Sequence, residues 1–443
     1  MRLLALCAVV AAAALAGTAE PAHACSCAVL DPRAMLTSSD GAFVGTVVGR
    51  RDESAAGATL IFDVEEAFKG AIGDTVEVRT PSNSAACGIE APVGTRIGLF
   101  LERDGPRWTG TLCSQVEPAR LREAARPLPP PSGKGPVALL VAGRFGPVRT
   151  IALDRTGRTL AYGTGAGSVI AFSPCSGGRR VVELVRTDAG GFAVAVRELR
   201  SLRQVRRQPV TAPGGAFPTT VRCTRPDGRE AIVFLSSTEG SGRGRLVRLG
   251  PGGAAVLWRG TAPSASLTDR VAYVNAGRTG ATLLAVDLRT RAVRRLGRIP
   301  AFTGPLVPDA RGTRLAGVAD DQRTASPVSR VVVVALGARR AVVRTAALRN
   351  AEAAGDVFWL GRGRLAFFPR FGSDDIRVYD GALRLVARLR GWQAQQTALV
   401  GATAYGVGFA DGRLVRAALP RGPIREVRRL PGPVAYGIVS AGP

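Results

Sequence analysis

Two cysteines one residue apart, Cys25-Ser26-Cys27, stand directly behind Ala22-His23-Ala24. Small residues at the first and third places of that tripeptide make a signal-peptidase site, and cutting after Ala24 leaves Cys25 with a free α-amine. Sulfur can bridge to sulfur, and an α-amine with a pKa of roughly 8 is partly neutral near pH 7, so it keeps a usable lone pair. Upstream, Met1 and Arg2 form a short basic start, and residues 3–17 are an apolar run too short and too alanine-rich to remain in a bilayer. Residues 1–24 therefore read as a secretory signal peptide. The mature chain is expected to be secreted or extracytoplasmic, with no transmembrane segment after processing. Lipoprotein processing calls for a larger aliphatic residue where Ala22 stands and a small one where His23 stands, so the site argues against a lipid anchor.

Export sets the redox compartment. Cys7 leaves with the signal peptide, and Cys25, Cys27, Cys87, Cys113, Cys175 and Cys223 remain. An even count in an oxidising compartment implies three disulfides. Six cysteines pair in about fifteen ways, so spacing alone assigns none of them.

The elements that must hold these groups fall into two domains. Residues 128–136, Leu-Pro-Pro-Pro-Ser-Gly-Lys-Gly-Pro, have the composition of a linker that is stiff at one end and flexible at the other. Charge divides at the same place. Residues 25–126 hold 14 acidic and 11 basic side chains, a net of −3, whereas the remainder from residue 128 carries +29. The expected organisation is a signal peptide at 1–24, a first domain at 25–127, a linker at 128–136 and a second domain at 137–443.

In the first domain five stretches rich in β-branched or aromatic residues, 42–49, 60–68, 75–80, 96–101 and 107–113, read as strands. The second alternates Leu60, Phe62 and Val64 with Ile61, Asp63 and Glu65. Five strands with a helical segment at 117–125 behind them fit a five-stranded barrel of the OB type.

Cys25-Ser26-Cys27 at a processed terminus, Gly41-Ala42-Phe43-Val44-Gly45-Thr46-Val47, Phe62-Asp63-Val64 with Phe68-Lys69-Gly70, Cys87-Gly88 and Thr111-Leu112-Cys113 together resemble the netrin-like domain, the family that includes the tissue inhibitors of metalloproteinases. The resemblance implies disulfides Cys25–Cys87 and Cys27–Cys113, each worth on the order of 4 kcal/mol by chain-entropy reasoning. It also implies a role. The terminal amine and carbonyl of Cys25 would chelate the catalytic zinc of a metalloprotease, whose open coordination position admits them, and Ser26 would enter the specificity pocket. The alternative is that the Cys-x-Cys only staples the barrel. The chain departs from the inhibitors after Cys27, where Ala28-Val29-Leu30-Asp31-Pro32 and then an unrelated domain follow.

The second domain repeats a two-part phrase. A turn and a short apolar strand appear as Asp154-Arg155-Thr156-Gly157-Arg158-Thr159-Leu160-Ala161, Asp227-Gly228-Arg229-Glu230-Ala231-Ile232, Asp309-Ala310-Arg311-Gly312-Thr313-Arg314-Leu315-Ala316 and Gly361-Arg362-Gly363-Arg364-Leu365-Ala366. Weaker versions lie at 269–274 and 400–407. The second part reads as a hairpin whose second strand ends in arginine, at 192–210, 245–258, 283–296, 331–343, 376–389 and 414–430. A spacing of about 37–53 residues matches a four-stranded blade, and about seven blades fit, within a range of six to eight. The phrase is similar to the repeats of TolB-like and WD40-like propellers. The expected fold is all-β: the OB-type barrel followed by a β-propeller, closed by strands at 137–141 and 434–440 so that no blade edge is left open. Cys175 and Cys223, in neighbouring repeats, are expected to bond to each other, with two buried thiols as the alternative.

His23 is the sole histidine and leaves with the signal peptide. The mature chain thus lacks histidine-based triads and most zinc or iron sites. No Gly-x-Ser-x-Gly or Gly-x-x-x-x-Gly-Lys occurs. Asp320-Asp321 and Asp374-Asp375 are the carboxylate pairs open to acid-base work or calcium. From this inventory the chain is expected not to be an enzyme, to take no cofactor or metal, and to serve as a binding or scaffold protein for a protein partner or an anionic envelope polymer, with metalloprotease inhibition through Cys25 and Ser26 as the alternative. Of 60 basic residues 58 are arginine. Such a field attracts polyanions, but at 5% aromatics it lacks a stacking platform for specific nucleic acid.

Overall fold

The computed structural model describes residues 32–443 apart from 55–56, 146–147, 166, 213–215, 238–241, 278–281, 300–305, 310, 322–327, 337–340, 349–354, 370–374, 409–411, 431–436 and 442–443. The chain divides into two compact units, Met1–Pro127 and Leu128–Pro443. No helix among the described residues is long and apolar enough to cross a membrane.

In the first unit, helix α1 (Pro32–Ser38) leads into strands β1 (Gly41–Ser54), β2 (Gly57–Lys69), β3 (Thr75–Pro81), β4 (Arg96–Asp104), β5 (Arg107–Thr109) and β6 (Gln115–Val116), and helix α2 (Pro118–Ala125) follows. β1 is long enough to serve two neighbours. It pairs along its length with β2 and, through residues 41–46, with β4. Register shifts at four points along the β1–β2 ladder let it bend between them. The ladder runs β1-β2-β3-β5-β4 and back to β1, with β3 and β5 parallel. The sheet therefore closes on itself, and Leu60, Phe62, Val78, Leu99 and Leu101 fill it. The Phe43 and Phe62 rings meet edge to face at 5.2 Å. Alternation along 60–64 holds as read from sequence, with Leu60 and Phe62 in the core and Val64 against it. The expected strand at 107–113 is shorter. It stops at Thr109, because Gly110 donates to the Arg79 carbonyl and Thr111 and Ser114 hydrogen-bond to each other around a 3-10 turn. β6 then adds to the outer side of β4.

Among the described residues the second unit contains seven four-stranded antiparallel sheets. Blade I is assembled from both ends of the unit: Gly437–Ser440 pairs with Leu139–Phe145, followed by Val148–Leu153 and Thr159–Thr164. Blades II to VII are consecutive, over residues 168–210, 216–261, 264–298, 307–347, 355–389 and 396–429. First strands of neighbouring blades touch each other at the I–II, II–III, III–IV, V–VI, VI–VII and VII–I boundaries, which puts fourth strands at the periphery. Each blade packs on the next through an apolar layer, and these layers run in succession from I–II to VII–I. Second strands lie between layers and are buried on both faces, which explains why they read as unbroken apolar runs such as Ala231-Ile232-Val233-Phe234-Leu235.

Fourth strands are sheet edges, with backbone groups open to pairing with another chain. In blades II to VII each carries at least one arginine, among them Arg207, Arg259, Arg295, Arg344, Arg388 and Arg429. Charge on an edge strand opposes edge-to-edge association, and it stands beside the exposed Val205, Val293, Leu385 and Val386 of the same strands. The fourth strand of blade I, Thr159–Thr164, has no arginine. It is covered instead. Ser132 and Gly133 donate to the Thr159 carbonyl at 3.0 and 2.7 Å, Tyr162 Oη donates to the Pro129 carbonyl, and Leu128 packs beneath. The Pro-rich segment thus lies along this blade.

Two covalent or ionic ties join blades I, II and III. Cys175 and Cys223, both buried, are bonded between the first strands of blades II and III. Closing a loop of 48 residues is worth about 4 kcal/mol by chain entropy. Between blades I and II, Glu183 and Arg197 form an ion pair at 2.6 Å with both side chains buried. Glu183 also accepts from Thr150 Oγ1, and Arg197 donates to the carbonyls of Leu202 and Thr164. Arg197→Met leaves a carboxylate unpaired in a dry layer. The expected loss is about 3–5 kcal/mol, read as a lower denaturant midpoint, whereas Glu183→Leu with Arg197→Met is expected to recover most of it.

Candidate functional site: the turn face of the propeller

Turns between first and second strands, and between third and fourth, emerge on one face of the second unit. The repeated aspartates build them. Asp309 Oδ1 accepts from Thr313 N at 2.8 Å while Oδ2 accepts from Arg314 Nε at 3.0 Å. Asp154 Oδ1 accepts from the backbone N–H of Thr156 and Arg158 and from the Thr156 hydroxyl. Asp287 and Asp380 close their turns in the same way. An aspartate that receives backbone N–H groups two to four residues on holds a tight turn without help from either strand. The phrase occupies two different places in a blade. Asp227 and Asp309 lie between first and second strands, but Asp154 lies between the third and fourth strands of blade I, as Asp287 and Asp380 do in theirs. Both hairpins open on the same face and make the same demand, so one phrase suits either.

These bonds hold the turn aspartates charged. At Asp154 and Asp309 burial opposes the charge, and the hydrogen bonds outweigh it, leaving both carboxyls below the usual aspartate value. The Thr290 N–H does the same for Asp287, and the Arg384 N–H for Asp380.

Arginines stand beside these acids on the same face. A cleft of about 620 Å³ lies between blades III and IV, lined by Thr224, Arg225, Glu230, Arg248, Asp269, Arg270 and 287–290. Its carboxylates are engaged: Asp269 by Arg222 at 2.7 Å, Glu230 by Thr224 Oγ1 at 2.8 Å, and Asp287 by its own turn. Arg225, Arg270 and Arg289 are exposed at the rim, and among the described residues their guanidinium groups make no hydrogen bond or ion pair. Such a rim can accept carboxylate or phosphate oxygens, for which the planar guanidinium is suited. Sequence reading singled out the arginines of the outer hairpins and passed over these three. The signal was present, since each stands within two residues of a turn aspartate: Arg225 before Asp227, Arg270 after Asp269 and Arg289 after Asp287.

The residues singled out from sequence lie elsewhere. Cys25, Ser26 and Cys27 fall outside the described residues. Cys87 and Cys113 are both disulfide-bonded, and the Leu112 N–H donates to the Cys87 carbonyl at 2.8 Å, which sets their loops side by side. Gly88 is required there, because a Cβ at its position would sit 2.1 Å from the Pro81 carbonyl oxygen. Asp320 and Asp321 belong to a strand, Arg314–Asp321. Asp374 lies outside the described residues, and Asp375 is buried against Arg388. Among the described residues no group of three or more His, Cys, Asp and Glu is placed to hold a metal ion.

No protein-family model matches the chain, and no curated protein does. Solved structures share its fold. A putative 6-phosphogluconolactonase from Bacteroides uniformis aligns over 69% of this chain and 99% of its own, at 15% identity and a TM-score of 0.51. One from Bacteroides fragilis aligns over 70% and 99%, at 13% identity and 0.51. TolB from Acinetobacter baumannii aligns over 91% and 83%, at 11% identity and 0.41. At these identities the likeness to the first two establishes a β-propeller fold. It also overturns the expectation that the chain is not an enzyme. That expectation rested on the missing histidines, and two propellers of this shape are named for a hydrolase activity, so the fold is no argument against catalysis.

The turn aspartates dictate an acid limb. A carboxyl whose folded pKa is lowered stabilises the fold fully above the ordinary value of roughly 3.9, and loses that contribution as pH falls through the lowered value. Asp309→Asn keeps one acceptor and removes the charge. Its expected effect is a loss of about 1–3 kcal/mol at neutral pH with a shallower decline below about pH 4, measured by urea unfolding across pH.

Proposed function

We propose that the protein is exported, trimmed to Cys25, and acts outside the cytoplasm as a binding and scaffold protein whose TolB-like propeller engages an acidic partner, a protein or an anionic envelope polymer, through its turn face. The observation that carries this is the division of charge there. Each aspartate of the cleft between blades III and IV is engaged by hydrogen bonds or an ion pair, while among the described residues the guanidinium groups of Arg225, Arg270 and Arg289 make neither. A field of that sign speeds the approach of a polyanion and weakens with salt. With poly-L-glutamate as probe and the full chain, Arg225→Glu, Arg270→Glu and Arg289→Glu combined are expected to weaken binding at least about ten-fold, and raising salt to do likewise for the unaltered protein. Equal binding by the triple variant, or affinity indifferent to salt, defeats the proposal.

The first unit supports a second reading. Its closed order β1-β2-β3-β5-β4-β1 is the one an OB-type barrel uses, and two bonded cysteines on adjoining loops suit the netrin-like pairings Cys25–Cys87 and Cys27–Cys113. Those bonds would fix the terminal amine and carbonyl of Cys25 at the barrel rim, with Ser26 beside them, in a position to chelate the zinc of a metalloprotease. One alanine added before Cys25 is expected to abolish inhibition of a zinc protease panel while the circular dichroism stays unchanged. Inhibition that survives the extension, or is absent from the processed form, removes this reading.

A further inference from the structure

A second cleft, of about 520 Å³, opens on the turn face where blades VII, I and II meet. Its floor is apolar, formed by Val137, Ala138, Leu199, Val400 and Ala441, and among the described residues that line it there is no carboxylate. Arg155 and Arg200 stand exposed at its mouth. Among the described residues neither guanidinium makes a hydrogen bond or an ion pair. The backbone that carries them is held in place. Tyr405 Oη donates to the Arg155 carbonyl at 2.6 Å, the Leu199 N–H donates to the Arg179 carbonyl at 2.9 Å, and the Ala441 N–H donates to the Ala138 carbonyl at 2.9 Å. The volume falls within the range of small-molecule sites, which combine an apolar wall with a few fixed polar groups.

We propose that this cleft binds a small organic anion with an apolar body, its carboxylate or phosphate head against Arg155 and Arg200 and its hydrocarbon on the floor. Two unopposed cations over a greasy base select for that pairing. A neutral chain leaves both arginines without a partner, and a bare anion leaves the floor wet. The cleft between blades III and IV differs, since acids line it and its occupant would need no apolar part, so this inference does not depend on the acidic-partner reading.

The test is calorimetric titration of the full chain with decanoate, decyl phosphate, decanol and acetate. Decanoate, decyl phosphate or both are expected to bind, with decanol and acetate at least about ten-fold weaker, and the two anions tell a carboxylate ligand from a phosphate one. Arg155→Gln with Arg200→Gln should abolish the preference over decanol, and Val400→Phe, which narrows the cleft, should weaken both anions while leaving the thermal midpoint unchanged. Arg225→Glu, Arg270→Glu and Arg289→Glu should change nothing here. Decanol binding as well as decanoate, anion binding that persists in the double glutamine variant, or no binding by either anion would overturn the proposal.

Discussion

A strand left without a neighbour exposes a row of backbone donors and acceptors, and every part of this chain is arranged around that constraint. The first unit meets it by closure, since β1 reaches both β2 and β4 and leaves no free side to the ring. The second unit meets it twice. At the centre, the last four-residue strand returns to complete blade I, which the start of the unit leaves unfinished. At the periphery, fourth strands cannot be paired without ending the propeller, so charge or cover takes the place of pairing.

That constraint accounts for much of the basic charge. Arginine recurs on the outer strands of blades II to VII, and the outer strand that lacks it is the one along which residues 128–134 lie. A net of +29 is then largely a property of edges and turns. The turns add a second division of labour. Turn aspartates spend their charge on backbone N–H groups within their own hairpins, and at Arg314 and Arg384 on the neighbouring guanidinium too, whereas the guanidinium groups of Arg225, Arg270 and Arg289 make no ion pair among the described residues.

The closure of the ring is also where its packing departs from a purely apolar layer. Blades I and II meet through small residues such as Ala152 and Ala161 and through the Glu183–Arg197 pair with its threonine and carbonyl partners. A buried pair of this kind gives little net stability over a hydrophobic substitute, yet its hydrogen bonds reach into Val148–Leu153 and Thr159–Thr164 of blade I from the two central strands of blade II. It ties the one blade made of distant segments to a neighbour made of continuous chain.

Strand type, repeat length and closure were legible from residue order alone, because they depend on local rules: two-residue alternation at Leu60 and Phe62, unbroken apolar runs in doubly buried strands, a turn phrase every forty or so residues, and strands at both ends of the propeller to complete its first blade. The hairpins at 192–210, 245–258 and 376–389 are third-and-fourth-strand pairs for the same reason. Which face a phrase occupies, and between which strands, was not legible, since Asp154 and Asp309 satisfy the same local geometry in different parts of a blade. Nor was it legible that the Pro-rich segment covers an edge, or that the Glu183–Arg197 pair of blade II finds Thr150 and the Thr164 carbonyl across a blade boundary. Those outcomes depend on distances between residues remote along the chain, and only packing sets them. The clefts follow the same rule: sequence determined how many arginines there would be, and the tertiary structure decided which of them have no acid left to answer.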